Sequence, residues 1–524
     1  MRVLARSVEA AAAAVACLAV AVLATGGWTV GGFSLTRPED LVVLLVGLAA
    51  LRLLQAPVAL PAARPARVVA VGVALYALLM GFIVVTRHLA FRTHALDLGY
   101  YVQVVWSIAS GYGAYVTLPA MHAWGDHFSP VLYLLTPLGW LAPGGTGLVI
   151  VQTLVFAAGG VFVYGYATRR LAPRANAGRL AAGFALLYLV NPSLHGINIR
   201  DIHPQAFAIP LLIAAALAFD TRRYVWCAAA LALTLGGRED CAIAVVGFAV
   251  WLALARGRWL AAALLGALSI AVLFADLAWL MPHFRGSPYP HLHRYQHLGS
   301  SLTEILMSLP LRPWRWIVVL VTAEKLVYLV TMLAPLGFLP LLAPRALAAA
   351  LPGLAMNLLS LDPVLMNYRA QYQSFVLPFL VLAAIDGYAR LRSWQGRGDA
   401  SVGHPHVAPR RPVPAGALLA FAFLASVALT ARTVNDLALP RWRPTEEHRA
   451  VRGLMSRIPP EAAVSTTERL VAQLAARREI HIFPVGAERS EYVLEREAVI
   501  ARASLPDHAL AARAGGWVLL KRRG

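Results

Sequence analysis

Apolar runs of roughly 15–25 residues recur along most of this chain, each about long enough to cross a hydrocarbon core of ~30 Å as a helix. They start near residues 10, 40, 68, 147, 180, 206, 225, 241, 259, 326, 346, 374 and 415, which on hydropathy predicts about 13 crossings. Such a chain folds as a polytopic α-helical membrane protein. Its 59% hydrophobic and 14% charged side chains compare with about 45–50% and about 25% in an ordinary soluble domain.

The net charge of +20 would on a soluble protein suggest a nucleic-acid partner. Here the membrane explains it. All but two of the 46 basic residues are arginine, the exceptions being Lys325 and Lys521, and many cluster in short stretches between apolar runs. Nucleic acid is therefore not expected as a partner. Cys17, Cys227 and Cys241 show no CxxC or other zinc spacing, so neither a disulfide framework nor a zinc site follows. Residues 1–28, basic at the start and Ala-rich after, are read as a retained first helix, because a second apolar run follows almost at once.

Cytoplasmic loops of membrane proteins carry the excess of Lys and Arg. With the N-terminus inside, loops 52–67, 169–179, 220–223, 256–258, the turn at Arg345 and 390–411 become cytoplasmic, and nearly all are basic. This register requires the apolar stretch 128–141, interrupted by Pro130 and Pro137, to lie along the outer surface; if it crossed, Arg169 and Arg170 would land outside. The outer loops are then 87–143, 191–205, 236–240, 282 to about 323, and 361–373, and they hold most of the His, Asp, Tyr and Asn. Beyond the last crossing, residues 434–524 read as a small α/β domain on the outer face, with strands at 463–465, 479–483, 491–494 and 517–520 and a helix at 468–478. Residues 395–414, rich in Gly, Pro and Arg, read as a flexible cytoplasmic linker.

Within the first outer loop, Asp97 stands just past a helix end beside Gly99, where a carboxylate can act as a general base at the water interface. It could equally cap the helix read at 98–110. Asp126 and His127, between Trp124 and Pro130, could hold a phosphate, a metal or a sugar hydroxyl. The second outer loop packs Asn191, His195, Asn198, Arg200, Asp201, His203 and Gln205 into a short connection. Arg200 suits a phosphate as a fork, or else neutralises Asp201 or Asp97. The turn Arg238-Glu239-Asp240 places three adjacent charges between apolar runs, where charges face protein or an aqueous cavity. In the last outer turn Arg369 suits an anionic head group, and Tyr368 and Tyr372 a sugar or prenyl face. His283, His291, His293 and His297 share one loop, but no carboxylate lies among them and no metal ligand set is assigned. With the polar residues on one side and the mid-membrane stretches nearly free of charge, the layout suits an interfacial enzyme acting on a lipid-linked substrate better than a transporter.

The run Ala95-Leu-Asp97-Leu-Gly99-Tyr-Tyr-Val-Gln-Val-Val-Trp106, followed by His127-Phe-Ser-Pro130, Asp201-Ile-His203-Pro204, Arg238-Glu239-Asp240 and Tyr368-Arg-Ala-Gln-Tyr372, resembles the bacterial membrane family DUF2079 from about residue 75 onward. That family is similar in layout to the GT-C glycosyltransferases, which move sugars from polyprenyl-phosphate donors on the extracytoplasmic face. The resemblance implies two extra N-terminal helices in 1–67, a GT-C-like transmembrane domain in 68–433 with the large outer loop 87–143, and the tail domain in 434–524. It further implies an inverting glycosyltransferase of the bacterial inner membrane, with Asp97 as the base that deprotonates the acceptor. His127 and His203 would orient donor or acceptor, and Arg200, Arg238 or Arg369 would hold the phosphate. Asp126, Asp201, Glu239, Asp240, Tyr368 and Tyr372 would complete the binding surface. Asp97 is followed by Leu98 where many GT-C enzymes carry a second acid, and a divalent cation is the one cofactor left open. The alternatives are a flippase for a lipid-linked glycan and a membrane scaffold or sensor without catalysis.

Overall fold

The helices follow from apolar runs rich in Ala and Leu, both strong helix formers, in a solvent that forces every backbone polar group to pair within the segment. The computed structural model describes residues 2–55, 63–142, 144–172, 174, 176–400 and 415–523. Among these, six helices are long and apolar enough to cross a membrane: Leu4–Thr25, Pro65–Leu89, Gly145–Leu171, Ala177–Ile199, Trp259–Arg285 and Gly416–Leu437. A seventh is added if Pro313–Leu320 and Ala323–Leu336, which meet at a bend of 67°, count as one span.

Thirteen apolar runs thus do not become thirteen helices of spanning length. The runs beginning near 206, 225 and 241 fold as the shorter apolar helices Pro204–Asp220, Tyr224–Leu235 and Cys241–Arg256, cut by the polar turns at 221–223 and 236–240. Pro344 and Pro352 divide the run near 346 into the short helical pieces Pro344–Leu347, Ala348–Ala350 and Leu351–Leu359. Of the linker read at 395–414, residues 395–400 continue the helix Leu377–Ala400, and 401–414 lie outside the described residues.

Packing inside the bundle uses small residues, as helix association in lipid favours. Gly159 lies against the Tyr188 ring and Gly160 against Leu189, leaving no room for a Cβ at Gly159. The helix Gly145–Leu171 gives the bundle its polarity. Its first residue, Gly145, packs against Leu98 and His88, whereas Arg170 near its last turn donates to Asp386 at 2.6 Å. Its 27 residues span about 40 Å at ~1.5 Å each. Arg169 and Arg170 therefore sit at the end of the bundle away from Asp97. Arg256 binds Asp220 at that far end through two 2.8 Å bonds.

The stretch 128–141 folds as a 3-10 turn, Pro130–Leu135, and a short helix, Thr136–Leu141. It is too short to cross. It lies against the helix Tyr100–Ala109 through Gly139, and Trp140 donates to the Ala109 carbonyl at 2.8 Å.

After residue 434 the chain forms a five-stranded sheet in the order Ile480–Ile482, Val464–Thr466, Tyr492–Arg496, Trp517–Arg522, His508–Ala514. The first three strands are parallel and the last two pair antiparallel. His508–Ala514 and the helix Glu446–Met455 have no counterpart in the sequence reading, because the Ala- and Arg-rich strand is specified by pairing with Trp517–Arg522 more than by composition. Val451, Leu454, Leu470 and Val471 of this sheet region share one hydrophobic core with Leu98, Tyr100, Val104 and Val116 of the first loop.

Candidate functional site

Asp97 sits in a single wide π-helical turn, Ala95–Gly99, that leads into the helix Tyr100–Ala109. Such turns re-aim side chains and cluster at functional positions. The Asp97 carboxylate makes no hydrogen bond or ion pair among the described residues, so the capping role weighed from sequence is not what it does here. The turn is fixed from a second loop. Asp201, 2% exposed and in the left-handed region at φ 73°, accepts from the His94 backbone N–H at 2.9 Å and from His94 Nδ1 at 3.0 Å. A non-glycine residue held at positive φ is strain that the surrounding contacts must maintain. Gln152 maintains it, donating to the Asp201 carbonyl at 2.7 Å and accepting from the His203 N–H at 2.9 Å.

The bond to Asp201 raises the His94 pKa above its ordinary value against partial burial, with further help from the charges of Asp201, Asp97 and Glu468. His94, Asp97 and Asp201 each offer an atom within 4.8 Å of the others, the one such His/Cys/Asp/Glu group among the described residues. These three could hold a divalent cation only with His94 deprotonated. The histidines of loop 282–300 do not assemble in this way: His293 binds the Pro290 carbonyl, and His291 stacks on His127 at 5.3 Å.

His127 belongs to a second, adjoining network. Its Nδ1 lies 3.0 Å from Glu239 Oε1, the Phe128 N–H donates to Glu239 Oε2 at 3.2 Å, and the Glu239 side chain is 1% exposed. Burial alone would raise the Glu239 pKa, but the charge and hydrogen bond of His127, together with Arg238, hold it well below the usual carboxylate range. Arg238, also buried, forms a two-pronged pair with Asp240 and faces the Tyr372 ring at 5.9 Å. That pair engages two of its three guanidinium nitrogens. Asp126 stands apart, 3.7 Å from Arg285, and Tyr368 donates to the Leu429 carbonyl in the bundle wall. His203 sits between the two networks, feeling the charges of Asp97, Asp201 and Arg238; burial keeps its pKa low and its ring neutral.

Arg200 and Arg369 have no carboxylate within ion-pair distance among the described residues, so the pairing of Arg200 with Asp201 or Asp97 does not form. Burial, and then the charges of Arg200 and Arg432, depress the Arg369 pKa. Nearby, one carboxylate, Asp436, serves Arg87 at 3.3 Å, Arg92 at 3.3 Å and Arg441 at 3.5 Å. Three arginines thus share that one acid, and its charge also reaches Arg369. Sequence reasoning missed Asp436, which lies far along the chain with no local signal, and did not rank His94.

The family described as "Predicted membrane protein (DUF2079)" matches residues 87–512. The chain belongs to this family. A comparison with curated proteins gives no match. Among solved structures, this DUF2079 protein is similar to ArnT from Cupriavidus metallidurans bound to undecaprenyl phosphate, with a TM-score of 0.50 and 14% identity over 86% of this chain and 97% of that one. It also aligns with the oligosaccharyltransferase of Archaeoglobus fulgidus in its apo form, with a TM-score of 0.41 and 11% identity over 80% of this chain and 65% of that one. The likeness to ArnT, at 14% identity, is one of fold.

The DUF2079 site is braced by its own C-terminal region. A Cβ on Gly99, two residues after Asp97, would lie 3.0 Å from Val471 Cγ1 and 3.4 Å from the Ala472 backbone. Gln473 donates to the His88 carbonyl at 2.6 Å, and Thr117 both donates to and accepts from the Ile480 backbone at the sheet edge. Gly99 has helical φ, so Gly99→Val tests this contact without backbone strain. The expected cost is about 1–3 kcal/mol of stability from overpacking. Part of it should return in the double variant with Val471→Ala, measured by thermal unfolding; strict additivity of the two changes would show that the contact carries no energy.

Proposed function

We propose that this DUF2079 protein is a membrane glycosyltransferase that moves a sugar from a polyprenyl-phosphate donor to an acceptor hydroxyl, with inversion, at the extracytoplasmic face of a bacterial inner membrane. The observation that carries this reading is that Asp97, which makes no hydrogen bond or ion pair among the described residues, offers its carboxylate within 4.8 Å of His94 and of Asp201, the latter next in the chain to Arg200, whose charge acts on Arg369. Fold likeness to a protein solved with undecaprenyl phosphate supports a lipid-phosphate donor.

In the proposed reaction the acceptor oxygen attacks the anomeric carbon as the bond from that carbon to the phosphate oxygen breaks. The acceptor proton passes to Asp97, and the electron pair of the broken bond leaves with the polyprenyl phosphate. Arg200 and Arg369 would neutralise the charge that grows on that phosphate, as preorganised cations do. His94 and Asp201 would fix the Asp97 turn. The polarity of the bundle, with Arg169 and Arg170 opposite Asp97, supports an inside N-terminus and an outer C-terminal region.

The test is release of labelled sugar from a panel of polyprenyl-phosphate sugars by the purified protein in nanodiscs. Turnover of one donor is expected, and none with any donor would sink the proposal. Arg369→Ala is expected to raise the donor KM about tenfold or more, the worth of a charge-assisted hydrogen bond of about 1.5–3 kcal/mol. An unchanged KM would remove Arg369 from the phosphate site.

A further inference from the structure

Not all buried polar atoms at this end of the bundle are spoken for. Ser129 Oγ, His203 Nε2 and both amide atoms of Gln205 have no hydrogen-bond partner among the described residues, and the three residues are 0%, 3% and 0% exposed. Buried hydroxyls and amides are normally paired, so several such atoms on adjoining segments require a reason.

The segments that carry them meet at one turn. Val131, two residues after Ser129, donates its N–H to the Gly236 carbonyl at 2.8 Å. A Cβ on Gly237 would lie 3.2 Å from the Pro204 carbonyl, between His203 and Gln205, and 3.0 Å from Cys241 Sγ. Only glycine permits this approach without displacing its neighbours. The same turn runs on into Arg238 and Glu239, and Gln152 ties the His203 backbone to Asp201. The segments that carry these groups therefore meet at the turn that leads into Glu239, and one of them is tied through Gln152 to Asp201.

Their chemistry is uncharged and mixed. The His203 ring is bonded to the Arg200 backbone through its other nitrogen, which leaves Nε2 as an acceptor on a neutral imidazole. Ser129 can donate and accept, and the Gln205 amide does both at separate atoms. A phosphate would call for cations and a metal ion for carboxylates; a set of neutral donors and acceptors matches a row of hydroxyl groups.

We propose that Ser129, His203 and Gln205 form the subsite that reads the hydroxyls of the transferred sugar. This rests on the glycosyltransferase reading above and assigns its donor specificity to residues distinct from Asp97 and the arginines.

The test uses the full-length protein in nanodiscs with the polyprenyl-phosphate sugar it turns over best, and with single-deoxy versions of that sugar. Gln205→Met and Ser129→Ala keep nearly the same volume and remove the polar atoms. Each is expected to lower kcat/KM on the full sugar by ten- to a hundredfold. On one particular deoxy sugar, already poor with the unaltered protein, each variant is expected to lose less than about threefold, because a missing hydroxyl no longer misses its partner. Thermal midpoints at or above that of the unaltered protein are expected, since partnerless buried atoms are removed. Losses of equal size on every donor, or no loss on any, would overturn the subsite while leaving glycosyl transfer standing. Failure of the unaltered protein to use any donor would overturn both.

Discussion

Asp97→Asn is expected to lower sugar transfer by about 10²–10⁴-fold, the usual contribution of a positioned general base, with little change in stability. The two halves of this expectation share one cause. The Asp97 carboxylate has no hydrogen bond or ion pair among the described residues, so removing its charge breaks no contact that holds the fold. Asn fills nearly the same space but cannot take the acceptor proton. Asp201→Asn makes the contrast. Asp201 receives two bonds from His94 and is buried, so its neutralisation should lower both the unfolding midpoint and activity by loosening the Asp97 turn. Sugar release and thermal unfolding, measured on both variants in nanodiscs, separate the roles. An Asp97→Asn protein with undiminished turnover would show that another group takes the proton.

Glu239→Leu is expected to cost about 3–5 kcal/mol, the penalty of removing one partner from a buried charged pair. The carboxylate is almost wholly enclosed, with His127 and the Phe128 N–H on its oxygens and Arg238 beside it. Its replacement strands those donors in a dry setting. The same group makes the protein acid-sensitive in a defined direction. Because the folded state holds the Glu239 pKa below its unfolded value, its stabilisation is complete above the ordinary carboxylate range near pH 4–5. It is lost as pH falls from there through the lowered native pKa. Glu239→Gln keeps the shape without the titration, so its unfolding midpoint should vary less between pH 6 and pH 3 than that of the unaltered protein. Parallel curves for the two proteins would show that Glu239 contributes nothing to acid lability.

The shared core between the first loop and the C-terminal sheet bears on the scaffold alternative. A binding module able to act alone would carry its own core, whereas Leu98, Tyr100 and Val116 here pack with Val451, Leu470 and Val471 in one cluster. Gly99 against Ala472 and Gln473 against His88 bring that contact within two residues of Asp97 at its nearest. The sheet thus bears directly on the position of the candidate base.

The membrane class and the collection of most His, Asp, Tyr and Asn into a few loops between apolar runs were legible in the linear order of residues. Long apolar runs admit one solvent, and arginine placement between them admits few threadings, so these properties need no tertiary information. Apolar length also explains why 128–141 does not cross: two prolines within fourteen residues leave no spanning helix. Other properties belonged to the fold. Which apolar runs become full spans depended on polar turns and prolines closing helices early, as in Tyr224–Leu235 and Leu351–Leu359. Which arginine stays free was invisible locally, since Arg238 and Arg200 look alike in sequence, and only packing gave Asp240 to the first and left the second without a carboxylate. The partnership of Asp201 with His94, 107 residues apart, and the gathering of Arg87, Arg92 and Arg441 on Asp436 are long-range. Electrostatic pairing acts across space over a few ångströms, and no spacing along a chain encodes which distant charges the folded bundle will bring within that reach.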